Sequence, residues 1–309
     1  MGSRGWPKVL TDPRALFLGS AGAGAVAWLA GVAALRPELA VVLLLLAPLV
    51  VVPLGLRLLA EGTVVWRVLG WVQWPAALAL LGAFAAPQGG GAALWALPWF
   101  AVTGLVALVG LARLRDRGRR SAPELTLSFA MLYLAVGGGW LVLSRWGQRP
   151  LEFAPIIVLL TAVHFHYAGF ALPLLAGLAG RALGGVSARL AAFGTVVGVP
   201  LVAAGITLTP ILNTSLPELL AASFLVLASV PVVLLHVRLG VRAEHQTAGM
   251  LLVLSGLALA VSMPLAAAYA LGSYLGTPWL DIPMMVRFHG LTNAVGFALL
   301  GIAGWNLTR

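Results

Sequence analysis

Three histidines within strongly apolar segments are the side chains of this sequence best suited to chemistry. His164 and His166 lie in the string HFHYAGF, and His289 lies in RFHGLTNAVGF. Ionisable side chains are costly in an apolar environment and often mark a functional site there. Because an imidazole can accept or donate a proton near neutral pH, the two motifs predict acid–base chemistry.

Helical spacing places the neighbours of the first two histidines on different faces. Residues three or four apart share one face of a helix, so Thr161, His164 and Tyr167 form one stripe. His166 lies on nearly the opposite face, and the two histidines therefore cannot readily bind one metal ion from a regular helix. Pro173 leaves the carbonyl four residues earlier without its N–H donor, which predicts a free acceptor beside His166.

The motif around His289 forms a second polar stripe. Thr292 and Asn293 share its face, and Asn293 can hydrogen-bond His289 and orient it. We predict catalytic roles for His164, His166, Tyr167, His289 and Asn293, and substrate contacts for Thr161 and Thr292.

Charged residues near the ends of these segments complete the predicted substrate site. Glu152 and Asp281 precede the two segments, where a carboxylate suits the positive end of a helix and can also donate a proton at a cavity mouth. Arg287 lies on another face from His289 and can extend to the membrane surface or bind an anionic headgroup. Glu218 has a position like that of Glu152; helix capping is its expected role, and a proton donor at a cavity mouth is the alternative.

Membrane helices must position these side chains. The 309 residues are 61% hydrophobic and 9% charged, with a mean hydropathy of +1.01, whereas soluble domains carry about 25% charged residues. A span needs about 20 apolar residues, which predicts an all-α bundle of about ten spans in a single domain, 1–309, with the histidine motifs in its second half, about 150–309. The predicted spans are 15–35, 39–59, 63–86, 92–112, 123–144, 154–179, 188–207, 217–239, 247–272 and 284–306.

The distribution of positive charge predicts the orientation of the bundle. With the N-terminus inside, the inner segments hold 15 of the 19 basic residues. Such an excess predicts that both termini, including residues 1–14, are cytoplasmic. His164 and His289 then lie roughly 15 and 12 Å below the outer surface at the helical rise per residue, so both imidazoles can face one cavity. The four outer basic residues are Arg36, Arg145, Arg149 and Arg287.

Composition also argues against several classes of function. The chain has no cysteine, which rules out disulfides, thiolate metal sites and cysteine nucleophiles. The net charge of +10 comes from short basic loops, and this pattern favours membrane orientation over nucleic-acid binding. No nucleotide-binding loop, GxSxG, HExxH or DDxxD motif occurs, and we predict neither a cofactor nor a metal site. His236 and His245 flank basic residues near the inner surface, which favours a solvated or headgroup-binding role for them.

The sequence resembles the YndJ-like family of bacterial integral membrane proteins. The resemblance is carried by LTAVHFHYAGF from Leu160 to Phe170, by HGLTNAVGF from His289 to Phe297, and by APLVVVPLGLRL from Ala47 to Leu58. It implies a multi-pass protein of the bacterial cytoplasmic membrane with the same histidine motifs. The family is often labelled a transporter, and the resemblance leaves the activity open.

Two classes of function remain in competition. The first is a membrane enzyme that acts by proton transfer, as a cyclase or isomerase, on a lipophilic substrate such as an isoprenoid, a polyketide or a lipid. The second is a secondary transporter that uses the intramembrane histidines, although the predicted spans hold no carboxylate near the middle of the membrane. Ligation of haem or copper by His164 and His289, and a purely structural role, are the further alternatives.

Overall fold

A computed structural model describes residues 12–118 and 121–308, and within them the chain forms ten long apolar helices. The prediction of an all-helical bundle with ten candidate spans is confirmed, and most predicted ends lie within a few residues of the observed ones. The helices are α1 Pro13–Leu35, α2 Leu39–Leu59, α3 Val64–Ala85, α4 Gly90–Gly118, α5 Ala122–Trp146, α6 Pro155–Leu183, α7 Gly185–Leu212, α8 Leu216–Val241, α9 Gln246–Leu275 and α10 Ile282–Leu307.

The outer surface of the bundle is apolar. Leu227 is 71% exposed, and Val26 and Val261 are exposed to a similar extent in other helices. A soluble protein would not present so many large apolar side chains to water, so this surface is suited to contact with lipid. The protein is therefore a multi-pass membrane protein that associates with the bilayer.

One end of the bundle, which we name the basic end, gathers the ion pairs found within the described residues. Arg113 is buried and forms ion pairs with Glu124 at 2.6 Å and with Glu61 at 3.4 Å. Arg117 also pairs with Glu61, and Arg181 also pairs with Glu124. The opposite end is named the far end. Five basic residues of the predicted inner set lie outside the described residues: Arg4, Lys8, Arg119, Arg120 and Arg309.

The first and last helices both reach the basic end. Arg14 near the start of α1 donates to the carbonyl of Ala60 after α2. Arg57 near the end of α2 donates to Asn306 in the last turn of α10 at 2.5 Å. An even number of spans gives this arrangement, and the cytoplasmic location of the basic end stays a prediction.

Helix α2 lies at the centre of the bundle. It is the most buried of the ten helices, and its π-helical segment Ala47–Val51 contacts the π-helical segments Phe165–Ala171 of α6 and Thr292–Leu299 of α10. The segments of α6 and α10 also contact each other. Three irregular turns therefore meet in the interior, and π-helical turns are frequent at functional sites.

Two prolines explain how α2 is tied to its neighbours. Pro48 and Pro53 have no backbone N–H, so the shifted helical ladder leaves the carbonyls of Leu43 and Pro48 without donors. The phenol of Tyr167 in α6 donates to Leu43 O at 2.8 Å, and the amide of Gln73 in α3 donates to Pro48 O at 2.8 Å. Each freed carbonyl thus accepts a hydrogen bond from a neighbouring helix.

A tyrosine that donates to a carbonyl freed by proline also joins α5 to α7. Pro200 cannot donate to the carbonyl of Val196 one turn earlier, and the phenol of Tyr133 in α5 donates to that oxygen at 2.5 Å. Both tyrosines therefore hold helices that surround the histidine motif of α6.

A small residue allows α1 to pack directly on α2. Gly24 of α1 packs against the carbonyl oxygen of Leu49 in α2 so closely that a Cβ there would overlap it. By contrast, a Cβ at Gly22, half a turn away, would meet no atom within 4 Å.

We expect Gly24→Ala to destabilise the bundle while Gly22→Ala leaves it unchanged. Overpacking of a tight contact costs about 1–3 kcal/mol, so the Gly24 variant should unfold at a clearly lower temperature in the same detergent. Thermal unfolding followed by fluorescence-detected size-exclusion chromatography measures the difference. Equal melting temperatures for the two variants would contradict the close contact between α1 and α2.

Candidate functional site

A cavity of about 690 Å³ lies among helices α5 to α10. Along α10 its wall runs from Ile282 to Phe297, which corresponds to about 22 Å at the helical rise per residue. Phe153, Pro210 and Glu218, at the far ends of α6, α7 and α8, form its rim. Because these residues lie at helix ends, the cavity opens toward the far end of the bundle.

Large apolar side chains close the opposite side of the cavity. Leu172, Leu259 and Phe297 line its floor, and each of them is at most 5% exposed. A cavity of this size with apolar walls and few polar groups is typical of sites for small lipophilic molecules.

His164 and His289 both line this cavity, as the matched depths predicted. The two imidazoles are close enough to influence each other electrostatically. His164 interacts with the backbone of Val199 in α7 and packs edge-on against Phe165. Its Nε2 atom is buried and has no hydrogen-bond partner of good geometry among the described residues, so a ligand in the cavity can supply one.

A hydrogen-bonded network fixes the orientation of His289. Its Nδ1 atom lies 2.8 Å from the carbonyl of Ser262 in α9, which can only accept, so Nδ1 carries the proton in the neutral ring. Asn293 donates to His289 O at 3.0 Å and accepts from Ser262 Oγ at 2.9 Å. The lone pair of Nε2 is the acceptor of the ring, and the amide nitrogen of Asn293 lies 3.3 Å from it.

Thr161, Tyr167 and Asn293 also line the cavity, in agreement with the predicted stripes. The hydroxyl of Thr161 donates to Ile157 O within its own helix. The phenol of Tyr167 donates to Leu43 O and holds α6 against α2. Tyr167 therefore contributes its ring to the wall and its hydroxyl to helix packing.

His166 lies outside the cavity, in the interface between α4 and α6. Its ring is fully buried, with Nδ1 2.7 Å from Ala162 O and Nε2 accepting from the indole of Trp99 at 3.0 Å. Both ring nitrogens are bonded, so His166 has the contacts of a packing residue. The acceptor used by His166 is Ala162 O, where the position of Pro173 had suggested a carbonyl further along the helix.

The other predicted substrate contacts also lie outside the cavity lining. Glu152 is exposed, and Asp281 caps α10 through Met284 N at 2.7 Å. Arg287 is exposed and extends over the ring of Phe288. Thr292 is turned away from the cavity, although it lies beside Asn293 in the sequence.

Glu218 lines the cavity, whereas its position in the sequence favoured helix capping over a role at the cavity mouth. Its side chain lines the rim, and within the described residues it makes no hydrogen bond to a backbone N–H of α8. It interacts electrostatically with Tyr269 of α9, which lines the rim as well. No signal in the sequence distinguishes an inward-facing carboxylate from a cap at the same helix position.

His236 is buried, and the prediction of a solvated role for it is wrong. The ring is 0% exposed, its Nδ1 lies 3.1 Å from Ser255 Oγ, and it packs on Phe297 at 5.7 Å. Ser255 donates in turn to Phe297 O. The ring lies on the face of α8 that packs against α9 and α10, and it is therefore inside the bundle beneath the cavity floor.

The described residues contain no group of three His, Asp or Glu side chains arranged to hold a metal ion. His164 and His289 thus form a pair in an apolar cavity, with Glu218 at some distance near the rim.

Comparisons with known proteins identify relatives of the chain. The sequence model of the family described as YndJ-like protein matches residues 42–297, which span α2 to most of α10. The chain is 31% identical over 217 residues to a Bacillus subtilis (strain 168) protein named uncharacterized membrane protein YndJ. The matched region covers 69% of this chain and 38% of that protein, so the chain corresponds to well under half of the relative. No solved structure matches the chain.

Single cysteines test the opening of the cavity and the orientation of the bundle, since the chain has no native cysteine. A membrane-impermeant maleimide added to intact cells should label Thr209→Cys at the rim. Ser187→Cys at the basic end should react only after permeabilisation, and Val261→Cys on the lipid-facing surface should react poorly in both cases. Labelling of Ser187→Cys but not of Thr209→Cys in intact cells would show that the bundle has the opposite orientation.

Proposed function

The chain belongs to the YndJ-like family of membrane proteins, and we propose that it is an integral membrane enzyme that transfers protons within a lipophilic substrate. The observation that carries this proposal is the pair of histidines, His164 and His289, facing one apolar cavity. His164 Nε2 has no hydrogen-bond partner among the described residues, and His289 Nε2 has only the 3.3 Å contact from the amide of Asn293.

His289 has the geometry of a general base. Its Nδ1 proton is held by Ser262 O, and Asn293 fixes the ring, so Nε2 is the atom that accepts a proton. In catalytic histidines, orienting hydrogen bonds fix the tautomer of the ring. Ser262 and Asn293 are therefore positioning residues in this proposal.

His164 supplies the second proton-transfer group from the other wall. Two close imidazoles disfavour simultaneous protonation, so in the proposed step at most one of the two rings is protonated. The protonated ring gives its proton to the substrate while the neutral ring removes one from another position. The total number of protons is unchanged, and return of the proton from the second ring to the first restores the pair for the next turnover.

A reaction that conserves the number of protons in this way is an isomerisation or a cyclisation. Both reactions relocate a proton without oxidation or hydrolysis, and the apolar walls exclude the water that would compete. An isoprenoid, a polyketide or a lipid has the carbon skeleton for such chemistry. We place the protein in the bacterial cytoplasmic membrane with both termini inside, since its basic residues concentrate at one end of the bundle.

Transport is the second candidate function, and one observation favours it. The cavity opens toward the far end and is closed below by Leu259 and Phe297, the arrangement of a site that is accessible from one side at a time. The carboxylate at the rim could then take part in coupling.

Comparative profiling of membrane lipids and metabolites tests catalysis. Cells producing wild-type protein are compared with cells producing the double variant His164→Asn/His289→Asn at matched protein levels. Acid–base groups contribute about 100-fold or more to rate, so a compound converted by the wild type should remain essentially unconverted by the variant. Ion-mobility mass spectrometry distinguishes isomers of equal mass.

His245→Asn is the matched control. It removes a histidine outside the cavity and keeps a side chain suited to the N-cap of α9, which His245 occupies. Conversion that persists in the double variant would reject the proposed chemistry. Unchanged compounds with a different distribution across the membrane would support transport instead.

A further inference from the structure

The rim of the cavity carries a carboxylate without a cationic partner. Glu218 lines the cavity, no arginine or lysine is among its lining residues, and the ion pairs of the described chain all lie at the basic end. A carboxylate that faces an apolar space without a cation is costly. A cation delivered by a ligand would remove that cost.

Aromatic side chains occupy the same level of the cavity. Tyr269 interacts with Glu218 across the rim. Trp140 and Phe153, which also line the cavity, pack on each other with their ring centroids 6.3 Å apart. Aromatic faces attract organic cations, and amines with methyl groups are bound in this way.

The depth of the cavity separates the rim from the histidines. Leu225 lies seven residues after Glu218 in α8, and His289 lies seven residues after Ile282 in α10, each about 10 Å at the helical rise. A molecule whose charged group lies at Glu218 would therefore place atoms about 10 Å away between His164 and His289.

We propose that the ligand of this cavity is a lipophilic amine, with a protonated or quaternary nitrogen at Glu218 and a hydrocarbon body along the apolar walls. This inference rests on the proposed function in that the body reaches the histidine pair, and it specifies the substrate class. Glu218 is then the residue that selects for positive charge, whereas the histidines act at the other end of the molecule.

The far end of the chain offers controls for this role. Glu152 and Asp281 carry the same charge near the same end but lie outside the cavity lining. Because Asp281 caps α10, Glu152→Gln is the cleaner control for Glu218→Gln. Both substitutions remove one negative charge and preserve the shape of the side chain.

Photo-crosslinking in phosphatidylcholine nanodiscs tests the proposal. The probes are a dodecylamine and a dodecanoic acid, each carrying a diazirine near the tail, and mass spectrometry locates the modified peptides. Cavity labelling, as at Met285 in α10, is divided by labelling of the lipid-facing surface around Leu227, which corrects for partition into the bilayer.

We expect the amine to label the cavity of the wild type at least about tenfold more than the acid does, since a charged hydrogen bond is lost with the acid. Glu218→Gln should abolish the preference, and Glu152→Gln should retain it. Equal labelling by both probes in the wild type, or a preference that survives in Glu218→Gln, would overturn the proposal.

The histidine variants separate this inference from the proposed chemistry. His164→Asn/His289→Asn leaves the rim intact and should keep the preference for the amine. If the preference is present but no compound is converted by the wild type, the catalytic proposal fails while the ligand class stands. Conversion of a substrate without a basic nitrogen would support catalysis and overturn the ligand class.

Discussion

The structure depends on one constraint, which is that each backbone carbonyl in an apolar interior needs a hydrogen-bond donor. Prolines within α2 and α7 remove helical donors, and the phenols of Tyr167 and Tyr133 replace them from neighbouring helices. A hydrogen bond that is lost within one helix is thus replaced by a specific hydrogen bond between two helices. These links fix the position of α6, which carries His164, relative to α2 and α7.

The site follows from this packing. Helices α2, α6 and α10 meet at their π-helical segments, and the irregular turns determine which side chains face the cavity. His164 and His289 face it together, while His166 faces α4 and bonds Trp99. The hydroxyl of Tyr167 binds α6 to α2, so Tyr167 contributes to the site mainly by positioning α6. The polar groups that a ligand in the cavity can reach include the two imidazoles and Glu218.

Hydropathy alone was sufficient to predict the fold, because a span needs a fixed length of apolar sequence. Helical periodicity and depth were sufficient to predict that His164, His289 and Asn293 lie near one another. Periodicity did not reveal that Glu218 faces inward, or that His236 is buried, because rotation about the helix axis depends on neighbouring helices. Asp281 and Arg287 were predicted to contact substrate from their nearness to His289 in the sequence, yet helix capping and surface exposure place them elsewhere.

The central claim is that His164 and His289 act as a coupled pair. Nitrogen-15 NMR of histidine-labelled protein in nanodiscs measures this directly by following each imidazole as the pH is varied. We expect His289→Asn to change the titration curve of His164 and to leave the signal of His166 unchanged. A His164 curve that is identical in the wild type and the variant would contradict the pairing on which the proposed chemistry rests.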